Sequence, residues 1–224
     1  MTDTAGLMRI LQICDSLFPV GAFTLSNGLE TYVQRDIITS PKGLEEYLHS
    51  YISVLPYNEL GAVAAAYNAD EKELCRLDEI YSAAKTPFEI RSGSEKVTRR
   101  FFKICNNGRE SFTGLYKSLT EQGICKGHQC IAYGLYMRDN GIELSEGLAV
   151  YGYSICSAIV TNCVKLVPLS QLAGQKILGE SFELISSASE KALFTDINDI
   201  GISGAGFDLR AMQHERLYSR QYMS

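Results

Sequence analysis

Apolar residues along this chain recur at intervals of three and four, the spacing that lines one face of an α-helix. Behind Ser40-Pro41, the residues Leu44, Leu48, Tyr51, Ile52 and Leu55 keep that spacing until Pro56. A serine cap with proline in the first turn starts a helix, and a later proline stops it. Residues 58–69 are rich in alanine, and Leu74, Leu77, Ile80 and Tyr81 repeat within 71–84, so two more helices are expected either side of Asn68-Ala69-Asp70. Thr86-Pro87-Phe88-Glu89 reads as a capping box, threonine and glutamate each satisfying an orphan backbone donor, with a helix running towards Ile104 and ended by Asn106-Asn107-Gly108. Further helices are predicted over 127–138, 145–165 and 168–187, and from Asp208 into the tail. No two alternating apolar runs are joined by a hairpin turn, so the expected fold is all-α. It is a single-domain helical bundle of about eight to ten helices with a flexible C-terminal tail. Residues 1–206 form its core, and residues 207–224 its last helix and docking tail. Gly201, Ser203, Gly204 and Gly206 loosen the chain over 196–206 and leave the tail free to move.

One stretch tests whether this chain belongs in water. Residues 147–164 carry no charged side chain and approach the about 20 residues that a bilayer crossing needs. Ser154, Ser157, Thr161 and Asn162 interrupt the stretch, and no second long apolar segment is present to pair with it, so a core helix is expected and no membrane. With 224 residues and 46% hydrophobic content the chain is that of a globular protein. A net charge of -5 and a pI near 5.3 exclude an electrostatic grip on nucleic acid, which needs a basic face. The start, Met1-Thr-Asp-Thr-Ala-Gly, lacks the charged and apolar regions of a secretory signal, so a cytoplasmic location is expected. Seven scattered cysteines fit that compartment as free thiols.

Candidate chemistry is sparse. Gly201-Ile-Ser-Gly-Ala-Gly206 lacks the Lys-Ser/Thr of a phosphate loop, and no strand precedes it. Cys125, His128 and Cys130 combine thiol and imidazole, which suit Zn or Ni, but at a spacing that matches no standard site; free cysteines more often act as small buried hydrophobes. His214-Glu215 lacks the second histidine of a zincin helix, and His49 stands on a predicted helix as a structural residue. No catalytic residue, metal ligand or cofactor is assigned. The tail, with Tyr218, Tyr222, Arg216 and Arg220, is dense in the residue types that anchor interfaces, and it reads as a docking segment.

Three segments carry a resemblance. Asp15-Ser-Leu-Phe-Pro-Val-Gly-Ala-Phe-Thr-Leu-Ser-Asn-Gly-Leu-Glu30 is similar to D-S-x-x-P-x-G-x-[FY]-x-H-S-x-G-L-E. Val164-Lys-Leu-Val-Pro-Leu-Ser-Gln171 with Gly174-Gln175 is similar to V-[RK]-x-[VI]-P-[LF]-[GS]-Q-x-x-[GA]-Q. The tail from Asp208 resembles D-I-x-x-M-x-H-E-x-x-Y-S-R-L-[FY]-x-S. In this order the motifs resemble the UreF family of urease accessory proteins, with Leu25 and Gln221 standing where that pattern has His and Leu. The resemblance implies a non-enzymatic homodimer. It would bridge a nickel-carrying, UreG-like GTPase and a second scaffold of the UreD/UreH type, and so support Ni²⁺ insertion into apo-urease. The partner-binding residues it implies are Glu30, Tyr32, Lys165, Gln171, Gln175, His214, Glu215, Tyr218, Arg220 and Tyr222. An autonomous nickel-binding protein, or a GTPase-activating protein using Arg220, Arg99 or Arg100 as a finger, are the alternatives.

Overall fold

Asp3 begins the first helix by accepting a hydrogen bond from the Gly6 amide at 2.6 Å, in a stretch for which the apolar spacing predicted nothing. In the computed structural model, which describes residues 1–105, 108, 110–202 and 204–223, this is the first of twelve α-helices, joined by three short 3-10 turns; no strand occurs among the described residues. They are α1 (Thr4–Cys14), α2 (Leu29–Gln34), α3 (Pro41–Val54), α4 (Glu59–Asn68), α5 (Glu71–Ala84) and α6 (Phe88–Ile104). The second half of the chain holds α7 (Phe112–Glu121), α8 (Gln129–Asp139), α9 (Leu144–Leu166), α10 (Gln171–Glu180), α11 (Phe182–Ala192) and α12 (Ala205–His214).

The all-α expectation holds, and the excess over eight to ten helices has local causes. Besides α1, the helix α7 was not foreseen: Ser111 caps it through the Gly114 amide, and the Asp139 carboxylate accepts from the Phe112 and Thr113 amides at 2.9 Å. The predicted helix over 168–187 is two helices, broken at buried Ser181, whose hydroxyl donates to the Ile177 carbonyl at 2.8 Å. Ser40 caps α3 as predicted, with Pro41 in its first turn. The capping box predicted at Thr86 is absent. Pro87 precedes α6 without a side-chain cap, the Thr86 hydroxyl donates to Asp208 Oδ2 at 3.3 Å, and Glu89 is engaged elsewhere. The box stands at α5 instead, between Asp70 and Glu73. Of the Asn106-Asn107-Gly108 stop, Asn106 and Asn107 lie outside the described residues.

The core is organised on α9, which packs against α1, α2, α3, α4, α8, α10 and α11. It is long and apolar enough to cross a membrane by composition, and half of its apolar window is buried in this protein's own core. Beside it α4 and α8 pack together, and Gly134 lies directly against α4; a Cβ there would meet the Val63 carbonyl oxygen at 2.4 Å. The alanine-rich face of α4 is what allows that approach.

The stretch over 196–206, expected as slack, is fastened at Gly201 and Ile202. The Gly201 amide donates to the Tyr57 carbonyl at 2.7 Å, and Asn58 Nδ2 reaches the Ile202 carbonyl at 3.3 Å. From this anchor α12 runs back across α2 and α6. Its helix stops at His214, so the helix expected to continue into the tail does not.

Candidate functional site

The local chain around α2 is built to bring a carboxylate inside. Gly28 precedes the helix at φ +84°, a left-handed conformation that favours glycine, and the Ser26 carbonyl accepts the Leu29 amide at 3.0 Å. The absent side chain at Gly28 also admits α12, since a Cβ would lie 2.8 Å from the Ala211 amide nitrogen. With α12 seated there, Glu30 on α2 and His214 at the end of α12 both lose all solvent exposure and meet, Nε2 to Oε2, at 3.0 Å.

The rest of the tail closes over them. Glu30 Oε1 accepts from the Gln221 amide at 2.8 Å and from Gln34 Nε2 at 3.2 Å, while Oε2 accepts from the Tyr222 amide at 3.1 Å. Gln34 Nε2 also donates to the Ser219 carbonyl at 2.7 Å, and the Met223 amide donates to the Thr24 carbonyl at 2.8 Å. On the other side Glu89, in the first turn of α6, puts Oε2 at 2.6 Å from His214 Nδ1 and Oε1 at 2.6 Å from Arg220 Nη1. His214 therefore stands between two carboxylates. A neutral imidazole donates from one nitrogen only, so filling both contacts takes a second proton, on the ring or on a carboxylate. Such charge-assisted bonds are about twice as strong as neutral ones, and an unpaired carboxylate at Glu30 would be costly.

Of the predicted residues, the structure thus gathers Glu30, His214, Arg220 and the backbone of Tyr222 into one cluster. Tyr32 lies beside it, its ring 5.1 Å from that of Tyr47 and 6.2 Å from Phe207, with the Arg210 guanidinium 5.7 Å from its centroid. Burial pushes its phenol up, against the opposing pull of Arg210. Burial, then the Glu30 charge, likewise pushes up the Tyr222 hydroxyl. Glu215 is exposed, and Tyr218 is fully exposed. Lys165, Gln171 and Gln175 are not part of this cluster. Lys165 holds its ammonium 4.2 Å over the Phe23 ring at the lining of a cleft of about 680 Å³, and Gln171 and Gln175 are exposed on α10. Residues of the first motif, Asp15, Phe18 and Leu25 among them, line the same cleft, as does the Lys85–Glu59 ion pair at 2.7 Å. Leu25 also packs on Gly93 of α6, an apolar role that an imidazole would not fill in the same way.

Two members of the cluster, Glu89 and Gln34, were not foreseen. Gln34 sits one turn beyond Glu30 and was open to that reading. Glu89 gave a false signal, since its place after Thr86 resembles a cap, and the residue it serves lies 125 positions away.

The thiols and imidazole at 125–130 have other occupations. Asp78 accepts from the Lys126 and Gly127 amides at 2.7 and 3.1 Å and from the Tyr116 hydroxyl at 2.5 Å, and that hydroxyl accepts from the His128 amide at 2.8 Å. His128 Nε2 pairs with the Ser82 hydroxyl at 2.7 Å, and burial pushes its pKa down to about 4. No group of three or more His, Cys, Asp or Glu that could hold a metal occurs among the described residues.

An all-α, single-domain body in which a buried polar cluster fastens the C-terminal segment is the class of protein this fold and site define. Within that class the relatives are specific. The family model for UreF matches residues 38–181. Urease accessory protein UreF of Actinobacillus pleuropneumoniae serotype 5b is 34% identical over 97% of this chain and 99% of its own. The Haemophilus influenzae protein of the same name is 33% identical over 100% and 97%, and that of Streptococcus thermophilus 30% over 97% and 94%. The chain belongs to the UreF family of urease accessory proteins.

Proposed function

We propose that this protein is a non-catalytic, cytoplasmic scaffold for urease maturation. As a homodimer it bridges a nickel-carrying GTPase and a second accessory scaffold, and thereby supports Ni²⁺ delivery to apo-urease. The relatives' common name supports the setting, and the presentation of the tail supports the bridging role. Residues 219–223 are held by Glu30, Glu89, Gln34 and Thr24, while the Tyr218 ring beside them is fully exposed. A large aromatic residue on a preorganised backbone loses little entropy when it enters a partner's pocket. GTP chemistry belongs to the partner on this reading, because the chain offers no phosphate loop.

The test is size-exclusion chromatography with light scattering, on this protein alone and mixed with its cognate GTPase and second scaffold. Full-length chain, a chain ending at Leu217, and Tyr218→Ala are compared. A dimer-based assembly that forms with the full chain and fails with both variants is the expected result. Tyr218→Ala separates docking from folding, since that side chain contributes nothing to the body. If the full-length chain elutes alone with every partner, the bridging role is wrong.

A further inference from the structure

We propose that Cys75 and Cys125 form a peroxide-reactive dithiol pair, a site of reversible covalent modification that closes to a disulfide between α5 and the turn joining α7 to α8. Their sulfurs lie 3.9 Å apart. Cys75 is half-buried on α5, whereas Cys125 is 2% exposed. The turn that carries Cys125 is held by its backbone: the Cys125 amide donates to the Leu119 carbonyl at 3.2 Å, and the next two amides donate to Asp78. Asp78 is one turn along α5 from Cys75. The same helix therefore bears one sulfur and the carboxylate that fixes the segment bearing the other, which keeps the two thiols facing each other.

A disulfide needs its sulfurs at about 2.05 Å, so closure brings them together by roughly 2 Å. The remaining thiols are placed differently. Cys14 is beside the Ser154 hydroxyl, Cys105 beside that of Tyr136 and Cys130 beside that of Tyr81, while Cys156 and Cys163 are buried.

The pair is also asymmetric, which assigns the order of events. Burial, then the Asp78 charge, pushes the Cys125 thiol up and keeps it protonated, so the first attack belongs to the more open Cys75. The Cys75 thiolate attacks one oxygen of hydrogen peroxide; the O–O bond breaks, hydroxide leaves and takes up the thiol's proton as water, and Cys75 becomes a sulfenic acid. The Cys125 sulfur then attacks the Cys75 sulfur. The S–S bond forms, the S–O bond breaks, and the hydroxyl departs as water with the Cys125 proton. Two thiols lose two electrons and one peroxide becomes two waters. The product ties α5 covalently to the segment that leads into α8.

The experiment treats reduced, full-length protein with a small excess of hydrogen peroxide, caps remaining thiols with N-ethylmaleimide, and maps a non-reducing digest by mass spectrometry. A Cys75–Cys125 linked peptide, reversed by dithiothreitol and at least about tenfold more abundant than any other pairing, is expected. Cys125→Ser should replace the link with a dimedone-trapped sulfenic acid at Cys75, and Cys75→Ser should give neither product. Recovery of both cysteines as maleimide adducts after peroxide, in protein whose helical circular dichroism is intact, overturns the proposal. So does a predominance of links to other cysteines or between two copies of the chain.

Discussion

Glu30 is a carboxylate with no exposed surface whose two oxygens accept from two backbone amides and the Gln34 side chain, and one of them meets His214 Nε2. Removing one partner of such a buried pair costs about 3–5 kcal/mol, so His214→Ala and Glu30→Ala should each lower the unfolding free energy by that scale, read as a lower urea midpoint at an unchanged slope. Gly28→Ala meets two obstacles together, a positive φ and the Ala211 backbone at 2.8 Å. It is expected to lift α12 and expose the tail to proteolysis, at a cost of at least about 1–3 kcal/mol. His128 sets a pH dependence of its own. Unfolded, it takes up a proton near 6.5; folded, burial holds it down at about 4. Between those values the unfolded chain binds more protons, so the native state is fully stable above pH 6.5 and loses of the order of 2–3 kcal/mol as pH falls towards 4. Chemical denaturation across that window should show the slope, and His128→Asn should flatten it. At this scale the sequence pointed to Glu30, His214, Arg220 and Tyr222, because the motifs that contain them are local strings. Glu89 was hidden, since nothing near it in the chain announces a partner on the last helix.

Helices whose caps and apolar stripes agree were legible from the sequence, and α3 and α5 are of that kind; α9, which has no side-chain cap, was legible from its length and lack of charge. The first helix was not, because Leu7, Met8 and Leu11 stay exposed and blur the stripe made by Ile10 and Ile13. Nor was α7, whose start is shared between the Ser111 cap and the Asp139 carboxylate at the far end of the next helix, α8. The two possible capping boxes make a paired test. Asp70→Ala removes a working cap and should cost about 1 kcal/mol. Thr86→Ala removes a hydroxyl that caps nothing, and its effect on stability should stay within about 0.5 kcal/mol. Thermal melts of both variants followed by circular dichroism would separate them; equal losses would mean that Thr86 supports α6 after all.

Across the whole molecule, α9 supplies a spine and the first and last motifs converge at its flanks, one through the cleft and the other through the fastened tail. A scaffold can govern a nucleotide switch only through unequal affinity for its states, and couplings of this kind change affinity by about 5-fold or more. Titration calorimetry with the GDP-loaded and GTP-loaded partner is therefore expected to give different Kd values. Equal values would remove regulation from the proposed role while leaving assembly intact. The fold class was readable because helical periodicity is a local property; the course of the tail was not, because hydrogen bonds to main-chain amides leave no trace in residue identity. That last fact has a consequence for how this terminus tolerates change. Glu30 grips amides at 221 and 222, which every residue but proline provides, so the grip measures the path length from His214 and is indifferent to the side chain at 221. Gln221 can thus stand where the family pattern has leucine, whereas a single residue inserted between His214 and Gln221 would put the amides out of phase with the carboxylate.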